Sequence, residues 1–392
     1  MRNIYGDLHI HIGSACLKPV KITASRKLTL DTIIFQDALR KGLDIVGVVD
    51  CASPLVIKEL EGMLNDGRLK EHPQGGFIAS NGVMLIAGAE AETKEGIHVI
   101  TYLPDLPSLK KYQKFLGSRV TNLELSTQRA NAGIIEFLNL AYICEGIFCF
   151  AHAFTPHKGV YGMLTDRLAK ILGRDLSQVK VIELGLSSDS NMADTIAETR
   201  EFTFLSNSDA HSSDNIGREY NLLRVADKSF KELKLALYNE DGRRVMANYG
   251  MDPIMGKYHR SFCPHCEVII EEKPPVFTCP KCGNSSNVVK GVYDRIIEIR
   301  DFEEAHHPVG RPVYNYRVPL KELPGVGPKT LKKLTAFFDN EIEILERVSV
   351  DDIARLISPD IAMMINKMRA GRLQIIPGGG GYYGKVKKDN RN

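Results

Sequence analysis

The chain has no apolar run of the roughly 18 residues that a membrane-crossing helix needs, which argues against a helical membrane protein. Its first residues lack the basic-then-apolar pattern of a secretory leader, so a cytoplasmic, reducing compartment is expected. Net charge is almost missing, at +3, and by itself points to no class of partner. The small excess of Lys and Arg lies in residues 253–392, which is compatible with nucleic-acid contact but weak alone. There is no internal repeat and no convincing docking motif for a sliding clamp. Cysteine is not lacking, yet in a reducing compartment the eight cysteines are not a disulfide framework. Cys16, Cys51, Cys144 and Cys149 are scattered and read as small buried hydrophobes. What is present is the composition of a globular protein, 43% hydrophobic and 25% charged. Its length of 392 residues calls for two or three domains.

At the start, Gly6-Asp7-Leu8-His9-Ile10-His11 reads as the end of a strand. Side chains two apart share a face, so Asp7, His9 and His11 are expected to project together as half of a metal site. Strand-like and helix-like segments alternate to about residue 250, which implies a parallel sheet, open or closed into a barrel. Strands are expected at 43–49, 83–87, 97–102, 147–151, 179–184 and 202–205. Helices are expected at 31–41, 122–140, 167–172 and 191–200. His9, His11, Asp50, Glu90, His98, His152, Asp209 and His211 fall at strand ends, where parallel α/β folds gather their active sites. Imidazole and carboxylate suit zinc or manganese. So many ligands exceed the needs of one tetrahedral ion and imply two or three, a set that hydrolyses phosphate esters.

His9-x-His11, Asp50, Gly88-Ala89-Glu90, His98, Ala151-His152 and Ser208-Asp209-Ala210-His211 resemble the motif series of the PHP (polymerase and histidinol phosphatase) family. The resemblance implies a distorted (β/α) barrel of the α/β class holding two or three divalent ions: zinc, manganese or magnesium. On this chain, His9, His11, Glu90 and Asp209 are expected to hold one ion. Glu90 bridges to a second on His98 and His152, and Asp50 and His211 serve a third. Asp50, Glu90, Asp209 and His211 form the expected catalytic set. Many family members carry a histidine at the position of Cys51, and some carry one at the position of Leu17. Glu92 shares a strand face with Glu90 and is the second choice for its role. Asp7 is read as orienting an imidazole. Ser187, Ser188 and Asp189 either cap a helix or touch substrate. Phe154 packs in the core or stacks on a base. Arg218 meets a phosphate or a nearby carboxylate.

Cys263-x-x-Cys266 and Cys279-x-x-Cys282 bracket twelve residues, the pattern of a structural zinc ribbon with four cysteine ligands. Residues 291–302 read as a strand and turn, 306–318 as an irregular linker, and 320–365 as helical. Within the last, Gly325-Val-Gly327-Pro-Lys329-Thr330 with Lys332 and Lys333 resembles the helix-hairpin-helix motif, which grips DNA phosphates without reading sequence. A glycine-rich run with Lys385, Lys387 and Lys388 reads as a loop-like, mobile tail. Three domains are expected: 1–250 phosphoesterase barrel, 251–302 zinc ribbon, 303–392 helical. That order, with Gly185-Leu-Ser187-Ser188-Asp189 and Ile216-Gly-Arg218-Glu219, resembles the endonuclease Q family of DNA repair. The resemblance implies cleavage of DNA 5′ of deaminated bases (uracil, hypoxanthine, xanthine) and abasic sites. The residues alone reach a metal-dependent phosphodiesterase on DNA. A single-strand exonuclease, a small-molecule phosphoesterase and a non-catalytic DNA-binding protein are the alternatives.

Overall fold

The computed structural model describes residues 1–387; Lys388, expected in the basic tail, lies outside the described residues. A twelve-stranded mixed sheet dominates, and ten strands make its continuous path. These are β1 (Arg2–Ile10), β2 (Ile45–Val48), β3 (Met84–Glu92), β4 (His98–Leu103), β5 (Ile147–Phe150), β6 (Val181–Glu183), β7 (Thr203–Leu205), β8 (Tyr220–Val225), β9 (Arg244–Gly250) and β10 (Val313–Tyr316). Their spatial order is β7-β6-β5-β4-β3-β2-β1-β8-β9-β10. β1, β2 and β3 run parallel, as do β5, β6 and β7. β4 is antiparallel to both neighbours, and β8 is antiparallel to β1 and β9.

The expected all-parallel sheet is therefore corrected. Too few residues separate Glu92 from His98 for a crossover, and the chain turns straight back, with Thr93 N–H donating to the Ile97 carbonyl at 2.8 Å. His98 thus begins a strand instead of ending one, yet lands on the same sheet edge as Glu90.

The interior cluster is built by alternate residues, among them Ile4, Leu8, Ile45, Met84, Ile86, Ile100 and Val181. The helix Phe230–Tyr238 plugs it with Leu233, Ala236 and Leu237. The helices Pro54–Asn65 and Ile134–Ile143 cover the outer face. Where β7 meets the start of the sheet, side chains stand in for part of the ladder. Asn221 donates to the Ser206 carbonyl at 2.9 Å and accepts from Ser206 N–H at 3.0 Å. Asn248 donates to the Phe204 carbonyl at 2.9 Å, and Asn207 accepts from Leu8 N–H at 3.0 Å. All three amides are buried. Beyond them Ile10 and Ala210 pair as an isolated parallel bridge, so the ends of β1 and β7 close on each other.

Several expectations change here. The helix expected from residue 122 begins only at Ile134, and the stretch before it is a loop over the site. Val292–Ile299 is a helix instead of a strand and turn, because Val292, Ile296 and Ile299 lie on one buried helical face. The expected linker at 306–318 supplies β10, parallel to β9. The C-terminal helices Pro328–Phe337, Glu341–Glu346, Val350–Leu356 and Pro359–Arg369 share a core of their own around Leu334, Ile344, Ile353 and Ile365. They dock on the barrel through ion pairs: Arg40 and Lys41 to Glu341 at 2.6 and 2.9 Å, and Arg317 to Glu346.

Candidate active site

One edge of the sheet gathers the polar residues. The pairing register of β1 slips between Asp7 and Ile10, a bulge. That slip breaks strict alternation, and Leu8 joins the interior while His9 and His11 face the centre. Asp7 is left out. It accepts from the backbone N–H groups of Ser208 at 3.1 Å and Gly217 at 2.9 Å and touches neither imidazole ring, which corrects its expected role. The ring nitrogens are tied down instead by other acceptors. His9 Nδ1 lies 3.0 Å from the Glu183 carboxylate, and His11 Nδ1 lies 3.0 Å from Asp50. His152 Nδ1 meets Thr155 Oγ1 at 3.1 Å, and His211 Nδ1 meets the Asp209 carbonyl at 3.0 Å. A carboxylate or carbonyl partner needs Nδ1–H, so in His9, His11 and His211 the neutral ring offers Nε2 as a lone pair.

Those lone pairs converge on two carboxylates. Glu90 lies 3.6 Å from His9 Nε2, 3.5 Å from His11 Nε2, 3.0 Å from His98 Nδ1 and 3.6 Å from His152 Nε2. Asp209 Oδ1 lies 3.5 Å from His9 and 3.4 Å from His11. Three overlapping donor groups result: His9, His11 and Glu90; Glu90, His98 and His152; His11, Asp209 and His211. Within each, one ligand atom per residue lies within 4.8 Å of the others. His152 (φ 30°) and Asp209 (φ 46°) hold left-handed backbone, a cost that recurs at functional sites.

The donor set fits divalent cations. His9 and His11 point Nε2 at Nε2 across 3.3 Å, as do His98 Nδ1 and His152 Nε2. Two lone pairs so close need a positive charge between them. Burial opposes a charge on His9, but with no cation present Glu183 and Asp209 outweigh it and hold the ring up to about 10, so a metal binding there would displace a proton. Burial works against ionised Glu90, but His98 and Lys21 keep its carboxyl well below the usual range. His211, half-buried and beside His11, is pushed down to about 4 and stays neutral.

Asp50 does not join these groups. It sits behind His11 and also accepts from Ile12 N–H at 2.6 Å, so it orients an imidazole where a ligand was expected. Glu92 stands behind His98 and pairs with Lys158 at 2.7 Å. Cys51 is a buried core residue whose thiol burial pushes up to about 12. Leu17 is fully exposed at the tip of a small hairpin. Phe154 stacks on Tyr161 in the core, centroids 5.2 Å apart, and is not placed to meet a base. Asp189 caps a helical turn through Met192 N–H, and Ser188 donates to the Leu184 carbonyl, so both are structural. Three residues at the site had no assigned role in the sequence: Glu183, Lys21 and Thr127. Lys21 Nζ and Thr127 Oγ1 reach Glu90 at 3.3 and 2.9 Å. Only the buried Glu183 left a trace, as a carboxylate inside an apolar strand.

A cavity of about 440 Å³ opens beside the donors. His152, Asp209 and His211 form one side, and Ser187, Arg218, Lys257, Tyr258 and Tyr383 form much of the rest. Elsewhere, the Sγ atoms of Cys263, Cys266, Cys279 and Cys282 form a fourth compact group, suited to a tetrahedral ion. Asp294 ties this ribbon to its neighbouring helix by accepting from the N–H groups of Ser261 and Val276. In the glycine hairpin, Gly325 has φ +89°, which only glycine adopts freely. Val326 and Leu334 are buried beneath it, while Gly327, Lys329, Lys332 and Lys333 are exposed. Thr330 Oγ1 closes the turn on the Gly325 carbonyl at 3.5 Å.

No protein-family model matches the chain. It is 40% identical over 395 residues to the uncharacterized protein YqxK of Bacillus subtilis, spanning 99% of this chain and 100% of that one. It is 39% identical over 225 residues to the uncharacterized protein MJ0043 of Methanocaldococcus jannaschii, spanning 52% of this chain and 28% of that one. Among solved structures it resembles the lesion-specific endonuclease PfuEndoQ from Pyrococcus furiosus, with 33% identity, TM-score 0.84, and 98% of this chain and 95% of that chain covered. A structure of endonuclease Q with a 27-mer duplex bearing an abasic lesion at the active site is equally similar, with 32% identity, TM-score 0.84, and 98% and 96% covered. Among the described residues no helix is long and apolar enough to cross a membrane.

Proposed function

The chain belongs to the endonuclease Q family and is a DNA-cleaving hydrolase, and on that premise we propose that it nicks DNA on the 5′ side of uracil, hypoxanthine, xanthine and abasic sites. The observation that carries this is the adjacency of three overlapping donor groups to a cavity of about 440 Å³, large enough to admit a nucleotide. His9, His11, Glu90 and Asp209 would hold one ion and Glu90, His98 and His152 a second, while His211 beside Asp209 would serve a third. Divalent ions there supply an acidified water and neutralise charge on a phosphodiester. The chain does the rest. Glu183, Asp50 and Thr155 fix the imidazoles that face the centre. Lys21, at the cleft beside Glu90, adds a cation that attracts a phosphate. The cavity receives a nucleotide turned out of the stack, because a stacked base is hard to inspect. The four cysteines hold a structural zinc, and the Gly325–Lys329 hairpin with Thr330, Lys332 and Lys333 grips the DNA backbone.

Labelled duplexes bearing uracil, hypoxanthine, xanthine, an abasic site or no lesion, incubated with manganese, magnesium or zinc, test the reading. A product mapped 5′ of the lesion is expected. No cut in any lesion duplex would sink it, and degradation confined to free ends, with circles left intact, would turn it into an exonuclease. Asp209→Ala should abolish cutting while duplex binding is largely kept.

A further inference from the structure

The glycine-rich run near the C-terminus is a strap, not a mobile tail. Gly378 N–H donates to the Ile254 carbonyl and Gly384 N–H to the Met255 carbonyl, both at 2.8 Å. A Cβ on Gly378 would stand 2.6 Å from the Met255 oxygen, so a side chain there forces the strap away. Gly379 and Gly380 lie against Ile269 and Phe262 of the ribbon, and Val386 anchors in the helical core. Held at both ends, the strap sets Tyr383 in the wall of the cavity.

Tyr383 organises two cations there. Its hydroxyl accepts from Arg218 Nη1 at 3.1 Å, with the guanidinium 5.3 Å from the ring centroid. Lys257 Nζ lies 5.1 Å from the same centroid. Arg218 Nε donates to the Ser208 carbonyl at 2.8 Å, next to Asp209, which fixes the guanidinium relative to the donor groups. Arginine and lysine donate hydrogen bonds and accept none. Deamination turns an exocyclic amine, a donor, into a carbonyl, an acceptor, and does so alike in uracil, hypoxanthine and xanthine.

Resting on the reading of the cavity given above, we infer that Tyr383, carried by the strap, holds Arg218 and Lys257 as a donor-only wall that takes the carbonyl left by deamination and turns away an amino group. Tyr383 is in this sense a positioning residue for specificity. The test compares kcat/KM on matched duplexes bearing hypoxanthine, adenine or an abasic site at one position, with unfolding midpoints measured alongside. In Tyr383→Phe the preference for hypoxanthine over the abasic site should fall about tenfold, the loss of one charge-assisted hydrogen bond. Gly378→Val, which displaces the strap without changing a polar group, should lower the same ratio. A uniform fall on all substrates, or a ratio unchanged in both variants, would overturn the inference. Wild-type protein that cut no lesion at all would instead bring down the functional reading beneath it.

Discussion

At the scale of single residues, the site depends on groups one layer behind the donors. Asp50 and Glu183 each hold an imidazole by its far nitrogen. Replacing such a partner usually costs about 10–100-fold in metal affinity or activity. Asp50→Ala is therefore expected to weaken active-site metal binding by that order, read by titration, while zinc at the four cysteines is unchanged. Glu219 offers a second test. It is fully buried, with one oxygen accepting from Met251 N–H and the other unpartnered. Burial, opposed by that N–H and by Arg218, pushes its carboxyl up to about 8. The folded state thus keeps a proton that the unfolded chain loses near 4.5. Its stabilising contribution is complete below that value and is lost as pH rises through about 8. Glu219→Gln should gain in unfolding midpoint over wild type between about pH 5 and pH 8; an equal difference at both would refute the assignment. The donors themselves were legible because His and carboxylate at strand ends have few other uses. Their supports were not, since Asp50 and Glu183 are told apart from ligands only by which way they face.

At the scale of elements, what the sequence revealed depended on how local the signal was. The paired Cys-x-x-Cys motifs and the glycine hairpin are short-range patterns, and both fold as compact units. The bulge in β1 is set by the partner strand, so alternation alone misplaced Asp7. The stretch before Ile134 was expected to be helical, but Leu123 packs on the main core and Ser126 and Thr127 border the cleft instead. The hairpin supports a prediction at this scale. Lys329, Lys332 and Lys333 are exposed on its helix. Changing all three to Ala should weaken binding equally on every sequence and reduce the salt slope of log K by about 2–3. The position of the cut should not move. A slope equal to wild type would leave the hairpin with a structural role only.

At the scale of the whole molecule, the helical C-terminal part is bolted to the barrel. Lys41 is 3% exposed, and its main acid partner is Glu341. Arg317 pairs with Glu346 on both oxygens, and Tyr220 donates to the same carboxylate. Removing one member of a buried pair strands the other charge, typically at a cost of about 3–5 kcal/mol. Glu341→Ala should lower stability by that order in a denaturant titration and speed proteolytic release of the helical end. Wild-type stability and wild-type proteolysis would mean that the contact carries nothing. The strap adds a second tie, because it runs from the helical core past the ribbon to the cavity. The helical end is thus tied to the barrel at two separate places, the Glu341 ion pairs and the strap.

The asparagine seam has a consequence in the chemistry of ageing. Asn207 donates to Glu183 at 2.9 Å, and Asn221 and Asn248 pass hydrogen bonds along the closure. Spontaneous loss of ammonia from Asn207 would leave an aspartate there, two carboxylates in contact and one imidazole support disturbed. All three amides are buried.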